Sequence, residues 1–166
     1  MPAVAAHPGV ISLEDLLRMQ DEDRYELVRG RLVERKSGAV SDRVTTRILS
    51  RLDRYVEAMN LGTVLGSETG YRCVPKDPKR VRKPAVSFIA GSRLREAELP
   101  EGYMEIAPDP AMESVSPYDL LHERKGEECL AADVRLVWVA GARQRTAIIY
   151  CRDGSGTRPR GADATT

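Results

Sequence analysis

Two charged side chains, Glu113 and Lys125, stand where charge is costly. Within Ala111-Met112-Glu113-Ser114-Val115 the two-residue period of a strand puts Glu113 on one face with Ala111 and Val115. A carboxylate among small apolar neighbours is expensive to bury unless something binds it. Lys125 has Leu121 and Cys129 one turn to either side, so its ammonium shares the less polar face of a helix. A strand glutamate and a helix lysine joined by the Ser116-Pro117 turn can meet near the strand's end. Read structurally, the same residues are an ion pair and a snorkelling lysine. Glu26, on a short strand between Tyr25 and Leu27, is a third candidate, although single edge-strand glutamates commonly face water.

Other chemistries drop out. His7 and His122 are the only histidines, so a Ser-His-Asp arrangement would rest on His122 alone. No GxxxxGK[ST] loop occurs, and no GxGxxG follows a strand. Cys73, Cys129 and Cys151 form no CxxC pair, which supports neither a zinc site nor a disulfide framework and fits a cytoplasmic protein.

Charge is distributed unevenly. Lys+Arg number 26 and Asp+Glu 25, a net of +1, so any polyanion contact must come from local patches. Five basic residues fall within Lys76–Lys83, and Lys79, Arg80, Arg82 and Lys83 are the candidate phosphate contacts there, against a merely solvated loop. Arg43, Arg47, Arg51 and Arg54 lie on the polar side of a helix with Asp53 and Glu57 between them. That side reads first as a solvated face with internal ion pairs, and second as a DNA contact.

The elements that would position these residues are legible. Ser12, with Asp15 three residues on, predicts a capped short helix through Arg18. Arg24–Glu34 predicts a hairpin turning at Arg29-Gly30. Ser41 is the expected cap of a long helix in which Val44, Ile48, Leu49, Leu52, Tyr55, Val56 and Met59 keep the 3.6-residue period, with Gly62 as its stop. Strands are expected at 63–65, 70–74, 86–90 and 110–116, a helix over 119–132, and a second hairpin from 135–139 and 146–150. Leu136-Val137-Trp138-Val139 is apolar on both faces and belongs in the middle of a covered sheet. The 166 residues suit one domain over 11–151, with a flexible stretch at 1–10 and a disordered tail at 152–166. No run of 18 apolar residues predicts a membrane helix. The fold class is α/β (α+β), a mixed sheet flanked by helices.

At these residues the chain resembles a known family. Arg24-Tyr25-Glu26-Leu27-Val28-Arg29-Gly30-Arg31-Leu32-Val33-Glu34 is similar to the opening signature of the bacterial "putative restriction endonuclease" family, within the PD-(D/E)XK nuclease superfamily. Gly66-Ser67-Glu68-Thr69-Gly70-Tyr71-Arg72, Val81-Arg82-Lys83-Pro84, Ala107-Pro108-Asp109, Glu113 with Ser116-Pro117, and Val134–Val139 follow in the family's order. The resemblance implies a restriction-endonuclease-like sheet, usually a homodimer, and Mg²⁺-dependent hydrolysis of DNA phosphodiesters. It implies Glu113 as the metal-binding glutamate, Lys125 as the water-orienting lysine and Glu26 as a supporting acid able to share the metal.

One position departs sharply. Where the family has Pro-Asp-Val this chain has Pro84-Ala85-Val86, and a methyl cannot ligate Mg²⁺. Asp109 and Glu105 are spare carboxylates, but neither matches the pattern. Pro110 and Ser114 stand where apolar residues are preferred, and Pro110 removes a ladder donor. The set reads as a nuclease fold with a damaged site, the alternative being a catalytically inactive relative that binds DNA or a protein partner.

Overall fold

The computed structural model of the protein describes residues 11–28, 30–34, 38–72, 80–94, 98–115, 134–141, 146–153 and 156–157. Helix α1 (Leu13–Leu17) opens with the expected reciprocal cap. The Asp15 N–H donates to Ser12 Oγ at 3.1 Å, and the Ser12 N–H donates to the Asp15 carboxylate at 3.0 Å. Leu16 packs with Leu27, Leu32 and Val81. Strands β1 (Tyr25–Val28) and β2 (Arg31–Glu34) form the predicted hairpin, with Gly30 at φ +72° in its turn. The hairpin is a separate two-stranded sheet, stitched to the rest where Leu27 and Val81 exchange backbone hydrogen bonds of 3.2 and 2.8 Å.

Helix α2 (Ala39–Met59) begins three residues earlier than Ser41 would set it as the cap. Gly38 is the N-cap and contributes no side-chain bond; its carbonyl accepts the Asp42 N–H at 2.9 Å, so Ser41 lies inside the first turn. The helix ends on Asn60 in the left-handed region at φ +50°, ahead of Gly62. Gly62 is needed for another reason. At φ +153° a Cβ there would sit 2.1 Å from the Ile89 carbonyl oxygen. Val56 is buried and Val44, Ile48, Leu49 and Leu52 are half-buried, as the period predicts, but Tyr55 and Met59 are 58% and 57% exposed. The apolar stripe is wider than the surface that covers it.

The main sheet runs β3 (Gly62–Leu65), β4 (Val86–Ala90), β5 (Pro110–Val115), β6 (Leu136–Gly141), β7 (Thr146–Cys151), β8 (Gly156–Thr157), in that spatial order. Only β5 and β6 pair in parallel; the other neighbours are antiparallel, which makes the sheet mixed as expected. Helix α2 packs against β3, β4 and β5. Pro110 is the first residue of its strand, where a lost donor does least harm to the ladder. Strand β6 is internal, with Val137 and Val139 buried, but Trp138 on the opposite face is 43% exposed. The 70–74 stretch is not a full strand in its described part, because Tyr71 makes only single bridges to Arg82 and Met104. Within the tail expected to be disordered from 152, Gly156–Thr157 add β8 to the edge of β7, and residues 158–166 lie outside the described residues. The helix expected over 119–132 lies outside the described residues. Among those residues no helix is long and apolar enough to cross a membrane.

Candidate active site

Strands β4 and β5 bring two of the singled-out positions together. Val86 lies opposite Met112 and Ser87 opposite Ala111; the ladder ends there, and continuing its register by one residue leads Ala85 toward Glu113. Glu113 is 5% exposed, and its neighbour on the other side is Val139 of β6. The expensive burial read from the alternating pattern is real. Ala85 also lines a recess of about 440 Å³ with Asp42, Thr45 and Leu49 of α2 and the Gly66–Thr69 turn.

Glu26 is held elsewhere along the same segment. Its Oε1 accepts the Lys83 backbone N–H at 3.0 Å, and its Oε2 lies 2.9 Å from Arg82 Nη1, with both side chains about 8% exposed. A cation seated on this carboxylate competes electrostatically with any metal. Glu26 is therefore built as an anchor for the chain that leads into position 85, two residues beyond the bond it accepts.

The basic run divides. Arg80, Arg82 and Lys83 are 7%, 7% and 1% exposed, which is not the surface of a solvated loop. Lys83 Nζ reaches the Glu22 carbonyl at 3.3 Å and its carboxylate at 3.5 Å, and the same carboxylate accepts the Tyr103 hydroxyl at 2.8 Å. Contact with an external phosphate requires access that these three side chains lack. Lys79 and Lys125 both lie outside the described residues.

Neither spare carboxylate moves in. Asp109 Oδ2 accepts the Ala90 N–H at 2.9 Å and its Oδ1 lies 2.9 Å from Arg93. That is the far end of β4, roughly 16 Å along the strand from position 85. Glu105 pairs with Arg72 on the surface. Among the described residues no three His, Cys, Asp or Glu side chains converge as a metal group. Among the described residues the donors at this position, one buried carboxylate with a methyl at position 85, do not complete a Mg²⁺ site.

Asp42, Thr45 and Glu68 on the recess, and Glu22 and Tyr103 behind Lys83, escaped the sequence reading. Asp42, Thr45, Thr46 and Leu49 do recur at helical spacing, a polar signal overshadowed by the apolar stripe beside it.

The profile of the Uma2 family, described as "Putative restriction endonuclease", matches residues 13–164. The chain belongs to this family. The crystal structure of a "putative nuclease belonging to DUF820" from Anabaena variabilis superposes with a TM-score of 0.77, covering 94% of this chain and 88% of that one at 17% identity. Identity that low speaks for the fold alone. Among curated proteins none matches the sequence.

Proposed function

We propose that this Uma2 protein is a Mg²⁺-dependent endonuclease of DNA phosphodiesters whose rate is held down by the methyl at position 85. The observation that supports the reading is the β4–β5 register, which pairs Val86 with Met112 and, continued by one residue, leads Ala85 toward the buried Glu113. Two facing carboxylates there would share a cation; this chain supplies one. Glu113 is the remaining ligand, and Lys125 is the amine that stabilises negative charge developing on the phosphate. Glu26 acts at one remove, fixing Arg82 and Lys83 so that position 85 meets β5 in register. DNA is the partner, a homodimer the assembly, and the reducing cytoplasm the setting in keeping with the free Cys151 thiol.

The test is Ala85→Asp against the natural chain in plasmid nicking with titrated Mg²⁺ or Mn²⁺. A gain of roughly tenfold or more is expected, each factor of ten being about 1.4 kcal/mol of barrier. Glu113→Gln added to Ala85→Asp should abolish the gain. A folded Ala85→Asp protein without metal-dependent nicking would sink the reading. It would leave the second one, a nuclease fold that binds DNA without cutting it, which the engaged oxygens of Glu26 favour.

A further inference from the structure

On α2, Arg43, Arg47, Arg51 and Arg54 are all exposed. The internal ion pairs expected for this face are absent among the described residues. Arg43, Arg47 and Arg51 have neither an ion-pair nor a hydrogen-bond partner there, and Arg54 donates only to the Ser50 carbonyl at 3.3 Å. Successive spacings of four, four and three residues align the four side chains in one row, roughly 16 Å long with cations about 6 Å apart. Like charges at these spacings disfavour the helix that bears them. A row kept at that cost in a chain of net charge +1 calls for a polyanion.

We propose that this row is a ridge that binds the phosphate backbone of duplex DNA, separate from the recess at Ala85. Separation follows from helix geometry. The recess residues Asp42, Thr45, Thr46 and Leu49 lie roughly 140° around α2 from the arginines, so the row is not a wall of that cavity. The partner's class follows from what surrounds the row. Insertion into a lipid surface needs a continuous apolar face of the helix, and here most of that face packs onto β3, β4 and β5, leaving Val40, Tyr55 and Met59 exposed toward its two ends. An acidic protein would need an apolar or aromatic anchor at the centre of the contact, whereas the exposed Tyr55 stands at one end of the row, one turn beyond Arg51. Phosphate binding needs only the charges, and the guanidinium fork suits it.

The test measures fluorescence anisotropy of a labelled duplex against salt, with EDTA present so that no metal-dependent step contributes. The natural chain should bind, with affinity falling steeply as salt rises. Arg43→Ala/Arg47→Ala/Arg51→Ala should lose at least roughly tenfold in affinity at low salt, and its log–log salt slope should fall by about 2.7, at about 0.9 per phosphate contact. The corresponding triple lysine variant should regain most of the slope. The alanine variant should also melt no lower than the natural chain, because like-charge crowding is relieved. Failure of the natural chain to bind, or an unchanged slope in a folded alanine variant, would overturn the ridge. So would tighter capture by polyglutamate or by anionic vesicles. Because cleavage is not measured, these outcomes are distinct from failure of the hydrolytic reading.

Discussion

Two groups of basic residues invite opposite readings in the sequence and exchange places in the fold. The dense run ending at Lys83 reads as a solvated phosphate loop, yet Arg82 and Lys83 turn inward onto Glu26 and Glu22. The arginines of α2, interleaved with acids, read as an ion-paired face, yet they stand in open water without acidic partners among the described residues. Charge density along a chain does not report where its counter-charges come from. Glu26 and Lys83 are 57 residues apart, so no local window contains the pair. Asp53 and Glu57 are close in sequence to the arginines but lie on other sides of the helix cylinder, beyond useful reach of Arg43, Arg47 and Arg51.

The contrast can be broken by substitution. Glu26→Ala strips buried Arg82 of its carboxylate and should cost about 3–5 kcal/mol in urea denaturation. A loss below about 1 kcal/mol would show that the inner pair is dispensable. Lys83→Met keeps the buried stem and removes the ammonium. Because Glu22 is partly exposed and keeps the Tyr103 hydroxyl, a loss of about 1 kcal/mol is expected. The triple alanine variant of the α2 row should stay within about 0.5 kcal/mol of the natural chain, as exposed sites do. The smallest effect lies at α1. The Ser12 hydroxyl, then its backbone N–H, hold the Asp15 carboxyl below its ordinary 3.8. A depressed carboxylate stabilises the fold above its unfolded value and loses that contribution as pH falls through its folded value. The melting difference between the natural chain and Asp15→Asn should therefore shrink as pH drops below 3.8. A difference independent of pH would mean that the cap carries no ionic part.

What could be read in advance was whatever a short stretch decides for itself. The Ser12 cap, the Arg29-Gly30 turn and the strand at Glu113 are set by neighbours within a few residues. The start of α2 was displaced because Ala39 and Val40 continue the helix once Gly38 offers its carbonyl, which leaves Ser41 with nothing to cap. Tyr55, Met59 and Trp138 fit their periods, but a period says only which face a residue shares, not whether anything lies over it. At the site, the alternation around Glu113 flagged a buried acid, while the facing of position 85 needed the β4–β5 register, which only the assembled sheet supplies.

The pattern of strand pairing also has a kinetic side. The flanks of the molecule are hairpins whose terminal pairs lie close in sequence, Val28 with Arg31 and Gly141 with Thr146. The centre is joined by Gly62 to Ala90, Val86 to Met112 and Pro110 to Leu136, each more than 25 residues apart. Loop closure must precede those contacts, so refolding should order the margins first and the two strands carrying positions 85 and 113 last. In pulse-labelled hydrogen exchange, amides of β1 and β7 should gain protection ahead of those of β4 and β5. The approach of position 85 to Glu113 is then the final thing this chain acquires as it folds.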